Sequence, residues 1–213
     1  MSGDDFDLAR IVPSTRDLLA GLAMRRRSVA LIPFIEGDAA TTGIADIERL
    51  RDSVRAFACD AFGPPLREVA QATRDVPLLV TRACQSVEDC QRARYHGADG
   101  VSIDPQAMVT GEELFLVARS MRMMPLAFGM EAPPTSSVTA NMTRAFILNG
   151  SLEQVLSSAS AFPRQAVLVV DWSRALPCAD DLARLRGHID AVIVGAHLHR
   201  TLEFIELVDS LDE

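Results

Sequence analysis

Short apolar runs of strand length recur eight times along this chain, each parted from the next by a segment of helical spacing, and that alternation points to a parallel sheet wound with helices. The last run shows the pattern most plainly. Ala191 to Val194 is unbroken Ala-Val-Ile-Val, as a strand covered on both faces requires, and it runs into Gly195 ahead of a final helix from about Thr201. The other strands are predicted at Val29 to Ile35, Val54 to Cys59, Pro77 to Arg82, Gly100 to Asp104, Pro125 to Gly129, Ala145 to Asn149 and Val167 to Asp171. Pro33 is awkward inside the first, because proline supplies no ladder donor.

Helix signals fill the gaps. A leading helix is predicted over 14–27 with Ser14 or Thr15 as its N-cap, a short helix over 45–51, and one over 64–72 opened by Pro64 and Pro65. Ser86 with Asp89, Thr110 with Glu113 and Ser151 with Gln154 have the spacing of capping boxes, and Gly97 is the expected stop of the first of these helices. A poorly marked helix falls near 137–143 and another over 179–186. The fold expected is α/β: a short (β/α)8 TIM barrel with a leading N-terminal helix, one domain covering residues 1–213, with an open doubly wound sheet as the less favoured arrangement. At 48% hydrophobic residues the chain can bury such a core.

Composition removes several classes of function. The acidic start, Met1-Ser-Gly-Asp-Asp-Phe-Asp7, and the lack of any apolar run of about 18 residues predict a cytoplasmic protein without a membrane span. A net charge of −8 repels nucleic acid and anionic membranes, and the run Arg25-Arg26-Arg27 does not reverse that. Cys59, Cys84, Cys90 and Cys178 form no CxxC pair and read as small buried thiols, so no metal site, disulfide or cofactor is expected. All 21 basic residues are arginine. Arginine can hold an anion but cannot readily exchange a proton or form a Schiff base, so chemistry needing a catalytic lysine is excluded for this chain alone.

In a barrel of this type the ligand sits at the carboxyl ends of the strands. Gly195 and Ala196 after the last strand open an anion site or a purely structural turn. Arg82, Asn149 and Asp171 fall at the ends of strands three, six and seven as candidate catalytic residues, with Ser173 beside them as a ligand contact. Carboxylates at Glu36, Asp60, Asp104, Glu131 and Asp171 ring the same end, and pairing of Asp171 or Asp104 with Arg82 is the blander reading. His197 and His199 form an H-x-H with no third ligand marked in sequence. Trp172 closes a pocket or fills space, and Met121, Met123, Met124 and Met130 read as core filler.

The segment Asp190-Ala-Val-Ile-Val-Gly-Ala-His-Leu-His-Arg200 resembles the strand-eight phosphate loop of the indole-3-glycerol phosphate synthase family, and Asp180-Asp181-Leu-Ala-Arg-Leu-Arg186 resembles the helix before it. Val76 to Val80, the helix 86–96, Gly97 to Asp104 and Phe62-Gly-Pro-Pro-Leu66 resemble the third, fourth and second units. The resemblance implies a tryptophan-biosynthesis lyase barrel that closes and decarboxylates a phosphorylated anthranilate derivative with lysines and glutamates. Those residues are absent here. The strand-one Glu-x-Lys site falls on Leu31 and Pro33, the strand-three lysine near Thr81 and the strand-five glutamate near Phe128. Asn149 stands for a family asparagine and Asp171 for the strand-seven glutamate, while Trp172-Ser173 replaces the Ser-Gly of the phosphate cradle. The expectation is a diverged barrel that has lost lysine-dependent lyase activity and binds a small anionic or phosphorylated ligand, a protein partner or a second copy of itself. The alternative is an active carbon–carbon lyase using Asp171, Asn149 and Arg82.

Overall fold

The computed structural model describes residues 6–23, 29–36, 40–105, 111–129, 143–174, 177–195 and 204. Eight parallel strands close into a barrel in sequential order: β1 Ala30–Ile35, β2 Phe57–Cys59, β3 Leu78–Cys84, β4 Gly100–Ile103, β5 Met124–Phe128, β6 Ala145–Leu148, β7 Val167–Trp172 and β8 Ala191–Val194. The barrel closes where β1 pairs with β8, Ala30 opposite Ala191 and Pro33 opposite Val194. Pro33 is accommodated because the ladder from β1 to β2 begins one residue later, at Phe34. The open doubly wound sheet is thereby excluded.

Around the strands lie α1 Leu18–Leu22, α2 Ala40–Leu50, α3 Pro64–Thr73, α4 Val87–Tyr95, α5 Gly111–Ser120, α6 Leu152–Ala159 and α7 Ala179–Leu185, with a 3-10 turn at Leu8–Arg10. The capping boxes at Ser86 and Ser151 form as their spacing predicts. Gly97 carries φ 107°, and a Cβ there would overlap the Cβ of Ala70, so both its backbone and its packing demand glycine. The helix α2 begins five residues before the predicted start at Ala45, and β2 begins three after the predicted Val54, whose N–H closes the helix on Leu50 O at 3.1 Å. The predicted helix 137–142, most of the final helix, Arg25 to Arg27 and Thr110 lie outside the described residues. Phe204 alone of the final segment is described, helical and fully buried.

Alternation along the strands sorts side chains into two layers. Ala30, Ile32 and Phe34, Ala58, Leu79, Leu126, Ile147, Val169 and Ile193 fill the barrel interior. Leu31, Ile35, Phe57, Val80, Val101, Phe146, Val170 and Val192 face the helices. Leu31, on which the resemblance placed the strand-one site, therefore points away from the interior, and Ile32 and Phe34 hold the inward positions.

The leading helix is shorter than predicted and does a different job. Asp17, not Ser14 or Thr15, caps it by accepting the N–H of Ala20 at 2.9 Å. Its Leu18 and Leu22 belong to the interior cluster, so α1 plugs the amino-terminal end of the barrel. Gly100 exists for that plug, since a Cβ there would overlap Leu18 Cδ2. Ser14 turns to Asp99 instead, donating its hydroxyl at 2.6 Å. Asp99 is 1% exposed and also holds Arg16 at 2.6 Å and Arg94 at 3.2 Å. Arg16 donates further to Val76 O and Gly97 O, which ties the segment before α1 to the loops entering β3 and β4.

Candidate functional site

The opposite end of the barrel opens into a cavity of about 970 Å³, within the size range of small-molecule sites. Six of the eight strands deliver residues there: Phe34 from β1 and Glu36 just after it, Asp60 after β2, Thr81 from β3, Phe128 from β5, Asn149 after β6 and Asp171 from β7. The three candidate catalytic residues Arg82, Asn149 and Asp171 thus bound one cavity, and so does Ser173.

Asp171 is half-buried and accepts the backbone N–H of Ser173 at 2.9 Å, which fixes the turn after β7. Arg82 is exposed and lies over the Phe62 ring at 5.5 Å from its centroid. Among the described residues Arg82 and Asp171 are not paired with each other, so the Asp171 half of the blander reading is not what the structure shows. Thr81, where the family lysine aligns, is buried and donates to Cys59 O at 3.4 Å, so its hydroxyl serves the β2–β3 junction.

Trp172 follows the outward alternation and packs against the layer between strands and helices, with its Nε1 donating to Gly150 O at 3.0 Å. It bounds the cavity from the side and leaves the barrel interior to Val169 and Ile193. Gly195 is buried directly behind β8 and is not among the residues bounding the cavity, while Ala196, His197, His199, Glu131 and Met130 lie outside the described residues. Of the carboxylates, Glu36, Asp60 and Asp171 bound the cavity; Asp104 does not. Among the described residues no group of three His, Cys, Asp or Glu side chains is placed to hold a metal ion.

Arg82 is not alone as a cation at the mouth among the described residues. Arg174, two residues beyond β7, also bounds the cavity. Periodicity gave no signal for it: an even spacing from the outward-facing Val170 would turn Arg174 toward the helices, but the turn at Ser173 breaks that alternation. The thiols are free: Cys59, Cys84 and Cys90 are buried as expected, whereas Cys178 is exposed at the start of α7.

The geometry is that of a (β/α)8 barrel with a polar mouth at the carboxyl ends of its strands. No protein-family model matches the chain, and no curated protein sequence matches it. Among solved structures, it is similar to a chain from the tryptophan synthase α2β2 complex of the hyperthermophile Pyrococcus furiosus, with a TM-score of 0.59 and 16% identity over 87% of this chain and 95% of that one. A mutant tryptophan synthase α-subunit from the same organism gives a TM-score of 0.62 at 14% identity, over 88% and 98% of the two chains. A structure from Aquifex aeolicus VF5 gives 0.61 at 13%, over 91% and 94%. At these identities the likeness establishes the fold. Among the described residues no helix is long and apolar enough to cross a membrane.

Proposed function

We propose that this chain is a tryptophan-biosynthesis-type barrel whose mouth binds a small phosphorylated or otherwise anionic polyol and which does not run the lysine-dependent lyase reaction of the indole-3-glycerol phosphate synthase family. One observation carries the reading: Arg82, Arg174, Asn149 and Ser173 bound the same cavity as Glu36, Asp60 and Asp171. Guanidinium groups suit an oxyanion, and the carboxylates and amide suit hydroxyl groups. Because Gly195 does not bound this cavity, the anion is assigned to Arg82, Arg174 and Ser173 in place of the Gly195–Ala196 turn. The structural likeness to tryptophan synthase chains supports this class of barrel, and the α2β2 complex among them favours a protein partner for this chain as well.

A second reading, that the mouth still cleaves or forms a carbon–carbon bond, is favoured by the hydrogen bond that orients Asp171. Among the described residues bounding the cavity, Glu36, Asp60 and Asp171 are the carboxylates, so acid–base catalysis there would be carboxylate chemistry. Thermal unfolding with indole-3-glycerol phosphate tests both. An upward shift abolished by Arg82→Gln is the expected result, and no shift at any concentration sinks the binding assignment. Turnover that disappears in Asp171→Asn would establish the second reading over the first.

A further inference from the structure

A second cleft, of about 640 Å³, opens at the amino-terminal end of the barrel, between the segment before α1 and the entries to β5 and β6. Four arginines line it: Arg16, paired with Asp99, and the exposed Arg119, Arg122 and Arg144. Local structure brings them together. Arg122 N–H donates to Arg119 O at 2.9 Å, placing both in the turn that leaves α5, and Thr143 donates its hydroxyl to Pro125 O at 2.6 Å, drawing Arg144 beside the same turn.

The cleft's own carboxylates are already engaged. Asp17 caps α1, and Asp99 is surrounded by Arg16, Arg94, the Ser14 hydroxyl and the N–H of Leu78. Among the described residues, no ion pair or hydrogen bond joins the side chains of Arg119, Arg122 or Arg144 to a carboxylate. On a chain with 29 acidic and 21 basic residues, three unneutralised guanidinium groups in one cleft invert the prevailing charge and repel one another until an anion enters. The cleft also has an apolar side: Leu19 is 39% exposed there and Met124 is half-buried.

We propose that this cleft is a binding site for a small organic phosphate ester, separate from the mouth at the opposite end of the barrel. The phosphate takes bidentate bonds from the guanidinium forks, the geometry arginine provides and a point charge does not. The ester body lies against Leu19 and Met124. A volume of this size fits a small molecule, and a flat macromolecular surface would need none of the enclosure.

Isothermal titration calorimetry of the full chain with phenyl phosphate and with inorganic phosphate tests the site. Phenyl phosphate is expected to bind more tightly than inorganic phosphate, less tightly at raised salt, and about tenfold or more less tightly to the triple variant Arg119→Gln, Arg122→Gln, Arg144→Gln, where tenfold corresponds to about 1.4 kcal/mol. The variant Arg82→Gln, Arg174→Gln is expected to bind it like the parent chain. Arg144→Gln alone gives the same comparison if the triple variant does not fold. Absence of phenyl phosphate binding, unchanged affinity in the cleft variants, or loss confined to the mouth variant would each overturn the assignment. Failure of indole-3-glycerol phosphate to bind the mouth leaves these outcomes unaffected.

Discussion

Asp99 and Asp190 stand four βα units apart and make the same closure. Each precedes a strand, β4 or β8, and exchanges two bonds with a leucine of the strand before it: Asp99 with Leu78 at 2.8 and 2.9 Å, Asp190 with Leu168 at 2.9 Å in both directions. A carboxylate in this position satisfies a backbone donor that the incoming strand would otherwise leave buried and unpaired. Asp99 also neutralises Arg16 and Arg94, whose pKa is lowered chiefly by burial and raised in opposition by Asp99. Asp99→Asn strands two guanidinium groups that are 16% and 13% exposed, at a cost of about 3–5 kcal/mol. Asp190→Asn is expected to cost about 1–3 kcal/mol. Urea unfolding of both variants checks the order, and equal losses would show that the arginine network contributes nothing.

The plug at the amino-terminal end predicts a rescue. Gly100→Ala drives a methyl group into Leu18 and within 3.2 Å of Leu79 Cδ1, an overpacking expected to cost about 1–3 kcal/mol. Leu18→Ala alone opens a cavity and costs about 2–5 kcal/mol. Because the two residues touch, the double variant should be more stable than the sum of the single losses by at least about 0.5 kcal/mol. Strict additivity in denaturant melts would mean that α1 does not seat on β4.

Much of the barrel was legible in sequence because its signals are local. Ala191–Val194 coincides with β8 residue for residue, and the Ser86 and Ser151 boxes need only three residues of context. At the candidate site the strand ends were placed well enough to bring Arg82, Asn149, Asp171 and Ser173 to one cavity, whereas Gly195 does not bound it. What failed was non-local. Ser14 reads as an N-cap until Asp99, 85 residues away, takes its hydroxyl. Which residues of β1 face inward was not legible either: Ile32 and Phe34 do and Leu31 does not, and a shift of one residue exchanges the two faces of a strand.

Cys59 gives the alkaline behaviour a specific source. Burial pushes its thiol from the ordinary value of 9.0 up to about 11, with the N–H of Ala61 opposing and Asp60 reinforcing the rise. Burial and the hydrogen bond to Cys90 move Cys84 in the same direction, the bond contributing more. A raised folded-state pKa means that the native chain holds the proton longer than the unfolded chain. Its stabilisation is therefore complete below about pH 9 and is lost as pH rises through about 11. A shift of this size corresponds to about 2–3 kcal/mol. Urea midpoints followed from pH 7 to 11 should fall less steeply for Cys59→Ala than for the parent chain, and parallel curves would rule the thiol out as the source.

Trp172 provides the readout for the mouth. It is the sole tryptophan of the chain, half-buried at the edge of the cavity, with its indole N–H on Gly150 O. A ligand entering between Arg82 and Asp171 changes the polarity around the indole face without needing to break that hydrogen bond, because Trp172 points to the helix layer and the ligand lies on the barrel axis. Titration with glycerol 3-phosphate, which carries no indole of its own, should therefore change the tryptophan emission saturably, and Trp172→Phe should remove the signal while leaving affinity measured by calorimetry within about fivefold, since an exposed neutral hydrogen bond is worth only about 1 kcal/mol. In Arg82→Gln the emission should stay flat over the range that saturates the parent chain. A saturable change that persists in Arg82→Gln would move the bound anion away from β3 and toward Ser173 and Arg174 after β7, on the far side of the same cavity.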